Sequence, residues 1–147
     1  MGWLMDQART FRATFKQEML PNISRYGFVK KPLWDMQIRL IKEEHKEMIN
    51  AFDELFADPE NQNRREEAVK EMADAVFVIY QHAAAFNLDL DQALDLIYQS
   101  NLSKLDEHGK PIFRADGKVL KGPNYLPPDL SDCVPEVQLN YYDTHGK

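Results

Sequence analysis

Cysteine is almost absent from this sequence, since Cys133 is the single example among 147 residues. One cysteine cannot form an intramolecular disulfide, so the fold has to be stabilised by its hydrophobic core. The composition is typical of a protein kept in a reducing cytoplasm. We expect Cys133 to be an unreactive thiol in a C-terminal tail.

Long apolar runs are missing as well. No stretch approaches the ~20 consecutive apolar residues that a membrane-spanning helix needs. The segment from Met1 to Asp6 also lacks the basic residues and the apolar run of a secretory signal. We therefore expect a cytoplasmic protein without a membrane partner.

Basic residues are outnumbered by acidic ones. The chain carries 24 acidic and 18 basic side chains, which gives a net charge of −6. A surface with this balance is poorly suited to the backbone of a nucleic acid, and we expect no nucleic-acid partner. A small anionic substrate would instead need metal ions to reverse the sign of an acidic site.

Apolar residues recur at intervals of three and four in four segments, which predicts an all-α protein. The length fits a single domain, which we place at residues 1–130, followed by a tail at 131–147. The expected architecture is a bundle of four to five helices with a short C-terminal hairpin or loop. The predicted helices cover roughly residues 5–20, 33–56, 64–86 and 90–105.

Turn and cap residues set the predicted boundaries. Pro21 closes the first helix, and the segment from there to Pro32 is expected to be a connection. Asp89 is expected to be the N-cap of the fourth helix, with Gln92 three residues on. The dipeptide Asp116-Gly117 predicts the turn of a small hairpin.

Two acidic clusters interrupt the helical patterns. Glu43, Glu44 and Glu47 lie on the second predicted helix, and Glu71 and Asp74 lie on the third. Residues three apart share a helix face, so each helix presents two stacked carboxylates, and antiparallel packing would join them into one cage. Such a cage is favourable mainly when a divalent cation lies inside it. Oxygen ligands favour Mg²⁺ or Mn²⁺.

The apolar pattern around these carboxylates predicts how the helices pack. A seam from Trp34 to Leu55 runs along the second helix through His45, which we expect to be a core or interface histidine. The third helix is apolar on most sides, with Met72 and Val76 on one face and Phe77 on another. A chain of this length cannot enclose such a helix, so we expect a homo-oligomer.

Candidate phosphate-binding groups follow the cage in the sequence. Asn101 and Lys104 lie three apart at the end of the fourth predicted helix, where an amide and an ammonium reach the same ligand. Lys118 and Lys121 are placed downstream to neutralise the remainder of a phosphate chain.

Aromatic side chains are candidates for stacking on a base. Trp34 lies at the start of the second predicted helix, where a place in the core is the commoner role. Asn124 and Tyr125 lie in a Gly-Pro-Asn-Tyr loop, which is better suited to a ligand contact.

A carboxylate site with two metal ions can polarise a phosphoryl oxygen, lower the pKa of a bound water and hold attacker and leaving group in line. Hydrolysis of a phosphoanhydride is the natural use of such a site. The substrate expected from this chemistry is a polyanion that arrives with divalent cations.

The motifs resemble those of the MazG-type all-α nucleoside triphosphate pyrophosphohydrolases. The resemblance rests on Glu43-Glu44-x-x-Glu47, 23 intervening residues, Glu71-x-x-Asp74 and then Asn101-x-x-Lys104. The stretches 100–104 and 117–125 are similar to small phosphoribosyl-ATP pyrophosphohydrolase-like proteins of phages and bacteria.

This resemblance implies a role for each matching position. Glu44, Glu47, Glu71 and Asp74 would be ligands of two or three Mg²⁺ ions, with Glu43 as a further ligand or a base. Asn101 and Lys104 would contact phosphate and the sugar or base. The implied reaction converts a nucleoside triphosphate and water to the monophosphate and pyrophosphate, in a homodimer or homotetramer. The match to small phage enzymes that act on guanine nucleotides favours dGTP or GTP.

Three alternatives compete with this interpretation. Phosphoribosyl-ATP is the enzymatic runner-up as substrate. A non-enzymatic helical interaction protein would carry the acidic stripe for solubility and would not bind divalent ions. A ferritin-like oxidase needs two Glu-x-x-His pairs, and neither acidic cluster supplies one.

Overall fold

The computed structural model describes residues 2–21 and 30–136. Within these ranges the chain is all-helical and has no β-strand, which confirms the predicted fold class. A 3-10 turn at Ser131–Cys133 follows the last α-helix. The four described α-helices are α1 (Trp3–Thr14), α2 (Lys31–Ala57), α3 (Gln62–Ala85) and α4 (Leu90–Leu102).

The long helices α2 and α3 form an antiparallel pair. At one end Arg64 Nη1 lies 2.6 Å from Glu54 Oε2, and Asn61 caps α3 by accepting a hydrogen bond from the Arg64 backbone N–H. At the other end the Trp34 ring packs against His82. The start of α2 therefore lies beside the end of α3.

Helix α1 packs on the C-terminal half of α3. Tyr80 connects it to α4, because its hydroxyl donates a 2.8 Å hydrogen bond to Asp91 Oδ1, while Asp91 Oδ2 accepts a 2.9 Å bond from the Met5 backbone N–H. The buried cluster at this junction consists of Met5, Ala8, Tyr80, Ala83 and Ala84.

Helix α1 is shorter than predicted, because it ends at Thr14 and not near residue 20. Lys16 adopts the left-handed conformation with φ of 54°, and the chain then turns back. Leu20 packs against Phe86, and its backbone N–H donates to the Ala85 carbonyl at 2.7 Å. The contact of Leu20 with the end of α3 therefore replaces the predicted continuation of α1.

The turn after α1 also changes which of its side chains are buried. Phe15 and Met19, which continue the apolar pattern of α1, are exposed. Arg12 is instead almost completely buried, and its Nε donates to the Glu18 carbonyl at 2.8 Å.

Helix α4 begins as predicted and ends early. Asp89 is the N-cap and accepts from the Gln92 backbone N–H, while its own N–H donates to the Cys133 carbonyl at 2.8 Å. The helix ends at Leu102 because Ser103 turns its hydroxyl to the following segment, where it accepts from the Leu126 N–H at 2.9 Å.

The predicted hairpin is reduced to one antiparallel bridge between Phe113 and Val119. Gly117, with φ of 89°, supplies the turn, and the Arg114 N–H donates to the Lys118 carbonyl at 2.8 Å. Residues 113–119 are exposed, and in this described segment only this one bridge pairs the two arms of the hairpin.

The burial pattern of α2 and α3 corrects the predicted packing face. The most buried residues of α2 are Gln37 and Ala51, which belong to the stripe that carries the carboxylates. His45, expected in the core or an interface, is exposed in this chain. On α3, Met72 and Val76 are 43% and 47% exposed. Met72 and Val76 therefore lie toward the outside of the pair, whereas most of the apolar seam of α2 is half-buried.

Two predicted segments, the connection after α1 and the C-terminal tail, lie partly outside the described residues. The connection from Pro21 to Pro32 lies mostly outside the described residues, and α2 already begins at Lys31. The beginning of the tail packs on α4 through the buried Cys133, whose pKa is raised by burial, and residues 137–147 are outside the described part. Among the described helices, none combines the length and apolarity needed to cross a membrane.

Candidate metal centre

Three of the predicted metal ligands meet between α2 and α3. One carboxylate oxygen from each of Glu44, Glu47 and Glu71 lies within 4.8 Å of the other two. Glu71 is buried, Glu44 is half-buried and Glu47 is exposed, so this three-carboxylate cluster opens to solvent on one side. It brings Glu71 to two side chains of α2 that precede it by at least 24 positions in the sequence.

Small residues allow this meeting. Ala51 on α2 and Ala68 and Ala75 on α3 are all buried in the same helix pair. Because alanine side chains let two helices approach closely, the longer glutamates reach across the contact. The pattern of alanine and glutamate on one stripe therefore places the carboxylates face to face.

Two carboxylate oxygens of the cluster are buried without a hydrogen-bond partner in the structure. These are Glu44 Oε2 and Glu71 Oε2. A buried carboxylate oxygen without a donor is costly, and two of them in one cluster are expected where a cation binds. The all-oxygen donor set fits a hard divalent ion such as Mg²⁺. Glu44, Glu47 and Glu71 are the residues that would hold it.

The electrostatics of the cluster are dominated by like charges. Burial raises the pKa of Glu44, and the carboxylates of Glu47, Asp74 and Glu71 raise it further. Lys70 acts in the opposite direction and lowers the pKa of Glu44. The single positive charge of Lys70 therefore does not neutralise the carboxylates around Glu44.

Asp74 lies near the cluster but is engaged elsewhere. Its Oδ2 is 2.9 Å from Lys70 Nζ, which also lies 3.1 Å from Glu71 Oε1. Hydrogen bonds to Asp74 and Glu71 raise the pKa of Lys70. In the described part of the chain, the group of oxygens that can bind one ion includes Glu44, Glu47 and Glu71 and does not include Asp74.

Two neighbours on α3 were missed by the sequence analysis. Glu67 shares a side-chain hydrogen bond with Glu71, which raises the pKa of Glu67. Lys70 is bonded to Glu71 and Asp74. The spacing of four from Glu67 to Glu71 and from Lys70 to Asp74 permits both contacts, but it does not select them from the other possible pairs on α3. Glu43, in contrast, is exposed and lies outside the three-carboxylate cluster.

Two of the predicted phosphate-binding residues, Asn101 and Lys104, lie at the end of α4. The Lys104 N–H donates to the Asn101 carbonyl, and the Lys104 carbonyl accepts a 2.9 Å bond from the Gly122 N–H. Only glycine fits at position 122, because an added Cβ would lie 2.2 Å from the Leu105 carbonyl oxygen. This contact brings the following loop to the last turn of α4.

The loop itself is arranged around Tyr125. Lys121 Nζ lies 4.7 Å from the centre of the Tyr125 ring, so one ring face already carries a cation. Lys118 and Asn124 are exposed. The hydrogen bonds and ion pairs of these residues, as far as the structure describes the chain, do not lead to the carboxylates. The described contacts therefore do not connect the two parts of the predicted site within one chain.

Trp34 is part of an aromatic cluster and not an isolated platform. Its ring centre lies 4.6 Å from that of His82 and 4.9 Å from that of Phe86. Ten residues separate it from Glu44, which is about 15 Å along α2. Beside this cluster, buried Gln37 Oε1 and Gln81 Nε2 have no hydrogen-bond partner.

A comparison with known families identifies the chain. Residues 8–101 match the family model of phosphoribosyl-ATP pyrophosphohydrolase, abbreviated PRA-PH, and include both helices that carry the carboxylates. The chain belongs to the PRA-PH family. This family is part of the MazG-like all-α nucleoside triphosphate pyrophosphohydrolase superfamily, as the motifs predicted. No curated protein matches the chain.

Membership in the PRA-PH family gives the reaction class. It implies a nucleotide pyrophosphohydrolase, which is a hydrolase acting on acid anhydrides. The family typically depends on Mg²⁺, and the three-carboxylate cluster fits that dependence. The PRA-PH match ends at residue 101, so Lys104 and the loop around Tyr125 lie beyond it. Their roles rest on the motif resemblance and on the geometry described above.

Proposed function

We propose that this protein hydrolyses a nucleoside triphosphate, with dGTP or GTP as the preferred substrate, to the monophosphate and pyrophosphate. The observation that carries the proposal is the three-carboxylate cluster of Glu44, Glu47 and Glu71, with two buried oxygens that lack a hydrogen-bond partner. A family of nucleotide pyrophosphohydrolases supplies the context in which such a cluster binds Mg²⁺.

The reaction breaks one phosphoanhydride bond. A water oxygen forms a bond to the α-phosphorus, the bond from that phosphorus to the bridging oxygen breaks, and pyrophosphate leaves. Bound Mg²⁺ supplies Lewis-acid activation of the water and neutralisation of the phosphates. Glu47 lies at the solvent-open edge of the cluster and Glu43 is exposed beside it on α2. These two carboxylates are the candidates to accept the proton of the attacking water.

The phosphate chain needs positive charge in addition to Mg²⁺. Lys104, Lys118 and Lys121 lie at the end of α4 and in the loop that follows. In our proposal they neutralise the departing pyrophosphate, while Asn101 and Asn124 donate amide hydrogen bonds to sugar or base. Tyr125, whose ring centre lies 4.7 Å from Lys121 Nζ, contacts the nucleoside in this proposal.

In our proposal a second copy of the chain brings these groups to the carboxylates. We propose a homodimer or homotetramer in which the end of α4 from one copy reaches the cluster of another. The exposed apolar side chains of Met72, Val76 and Phe77 support this assembly. They line a groove of about 440 Å³ between α1 and α3 together with Leu4 and Tyr80. An apolar groove of this kind is typical of a protein contact.

The choice of substrate has one strong competitor. Phosphoribosyl-ATP would undergo the same bond cleavage, and the matching family carries its name. The guanine preference is supported by the similarity of residues 100–104 and 117–125 to small phage enzymes. The lone cysteine favours a cytoplasmic enzyme, and no nucleic acid or membrane partner is proposed.

The deciding experiment compares substrates and products. The full chain is incubated with Mg²⁺ and each of a panel of nucleoside triphosphates or phosphoribosyl-ATP, and the products are separated by ion-exchange chromatography. We expect monophosphate and pyrophosphate, fastest with dGTP or GTP. Release of diphosphate and orthophosphate would contradict the bond assignment, and preference for phosphoribosyl-ATP would contradict the substrate assignment.

A matched pair of variants connects the activity to the cluster. Glu44→Gln removes one charge of the three-carboxylate cluster, whereas Glu66→Gln removes one exposed charge on α3 outside it. We expect at least about a hundredfold loss for the first and little change for the second, because only Glu44 would hold the metal. If the protein is instead a non-enzymatic helical interaction protein, the unaltered chain should show no turnover and no saturable Mg²⁺ binding.

A further inference from the structure

Lys70 is the cation placed against the three-carboxylate cluster. Its Nζ lies 2.9 Å from Asp74 Oδ2 and 3.1 Å from Glu71 Oε1. The Lys70 side chain is 61% exposed, whereas that of Glu71 is 7% exposed. The ammonium therefore approaches the cluster from the solvent side.

Glu71 is divided between two environments. Its Oε1 is paired with Lys70, while its Oε2 is buried without a partner, as is Glu44 Oε2. A divalent ion held by Glu44 and Glu71 fits the unpartnered oxygens on the inner side. One oxygen of this carboxylate thus contacts an ammonium, and the other has no hydrogen-bond partner.

Asp74 is paired with Lys70 and is therefore outside the three-carboxylate cluster. It lies close enough to raise the pKa of Glu44, yet its oxygens are not among those that group with Glu44, Glu47 and Glu71. Its Oδ2 is bonded to Lys70 in a pair four residues apart, and Asp74 is 43% exposed. Exposed pairs of this type contribute little to stability and are readily exchanged.

We propose that Lys70 is the internal counter-ion of the metal-free site and competes with the divalent ion for Asp74 and Glu71. Binding of the ion displaces the ammonium from Asp74, which then joins the ligand set. Lys70 is a positioning residue in this scheme, and it sets the metal concentration at which the site fills. The inference rests on the proposed function, because it assumes that the cluster binds a divalent ion.

Three substitutions in the full chain test the competition. Lys70→Met removes the ammonium, Lys70→Arg keeps a cation in place, and Lys46→Met removes an exposed cation of α2 that shares no ion pair with the cluster in the described structure. Mn²⁺ binding is followed by electron paramagnetic resonance. Thermal unfolding is recorded in EDTA and in saturating MgCl₂.

The expected results form a pattern that a general charge effect does not produce. Lys70→Met binds Mn²⁺ about fivefold more tightly, while Lys70→Arg and Lys46→Met stay within about twofold of the unaltered chain. In EDTA the Tm of Lys70→Met falls, because the buried Glu71 carboxylate loses its counter-ion, and saturating Mg²⁺ restores it. Unchanged or weaker Mn²⁺ binding by Lys70→Met, or an equal gain in Lys46→Met, would overturn the inference.

A further variant separates this inference from the proposed function. Glu44→Gln should weaken Mn²⁺ binding at least tenfold if the cluster is the metal site at all. If Glu44→Gln does so and Lys70→Met has no effect, the counter-ion role of Lys70 is wrong and the site stands. If neither the unaltered chain nor Lys70→Met binds Mn²⁺, the proposed function fails together with the inference. Lys70→Gln repeats the measurement if the methionine variant does not fold.

Discussion

Glu44 on α2 and Glu71 on α3 bring carboxylate oxygens within 4.8 Å of each other, and each keeps a buried oxygen without a hydrogen-bond partner. Two like charges in this position oppose the packing of the helix pair. The helix pair is nevertheless the centre of the fold, so the arrangement weakens stability in return for a cation-binding position. This conflict between packing and charge is typical of a functional site.

Removal of one of these charges should change activity and stability in opposite directions. In EDTA, Glu71→Gln should raise the Tm by a few degrees, because repulsion within the cluster decreases. With Mg²⁺ the same variant should lose at least about a hundredfold in turnover. Differential scanning fluorimetry and a pyrophosphate-release assay measure the two effects. A variant that loses stability in EDTA and keeps its activity would contradict the assignment.

The carboxylate stripe was predictable because it follows from helix periodicity. Glu44, Glu47 and Glu71 have the spacing that places them on facing stripes, and α2 and α3 have nearly the predicted bounds. The pairing of Asp74 with Lys70, which leaves Asp74 outside the three-carboxylate cluster, was not predictable in the same way. It depends on Lys70, whose side chain has several possible partners on α3, and the sequence does not rank them.

Two differences between the predicted and the observed pattern have physical causes. Helix α1 ends at Thr14 because Leu20 gains a contact with Phe86, which is distant in sequence. The apolar seam through His45 is predicted to lie in the core or in an interface, and within one chain most of it is half-buried while His45 itself is exposed. Local periodicity indicates that a face is apolar, and it does not indicate what covers that face.

The aromatic cluster at the end of α3 should make stability depend on pH. Burial lowers the pKa of His82, and the charge of Arg12 lowers it further. The unfolded chain therefore takes up the proton first as the pH falls below about 6.5, and the folded state loses stability. We expect the Tm to fall between pH 7 and pH 5, and to fall less in His82→Phe. His45→Asn, at an exposed position, should behave like the unaltered chain.

Tyr80 provides a test of the junction between α1, α3 and α4. Its hydroxyl donates a 2.8 Å hydrogen bond to Asp91 Oδ1. Tyr80→Phe leaves this carboxylate oxygen without its donor, so the free energy of unfolding should decrease by about 1–2 kcal/mol. Tyr98→Phe is the control, since Tyr98 is 58% exposed. Urea denaturation measures both, and equal effects would argue against the hydrogen bond as the cause.

A substitution at Gly122 should change substrate binding without changing metal binding. An alanine Cβ would lie 2.2 Å from the Leu105 carbonyl oxygen and 2.7 Å from that of Lys104, and backbone atoms cannot move aside easily. Gly122→Ala should therefore displace the loop from the end of α4. We expect KM to rise at least about fivefold while Mn²⁺ affinity is unchanged. Gly2→Ala, where the nearest atom is at 3.5 Å, is the control.

The proposed assembly, in which Lys104 of one copy reaches the carboxylates of another, predicts complementation between subunits. Glu71→Gln and Lys104→Met should each be inactive alone, and mixing them after mild denaturation should restore activity. In a mixed dimer, one site receives both altered residues and the other receives neither, so an equal mixture should recover about a quarter of the unaltered activity. If Lys104 acts on the carboxylates of its own chain, every site stays defective and mixing restores nothing. Refolding of the two variants with themselves controls for the procedure, and size-exclusion chromatography confirms that the mixed species has formed.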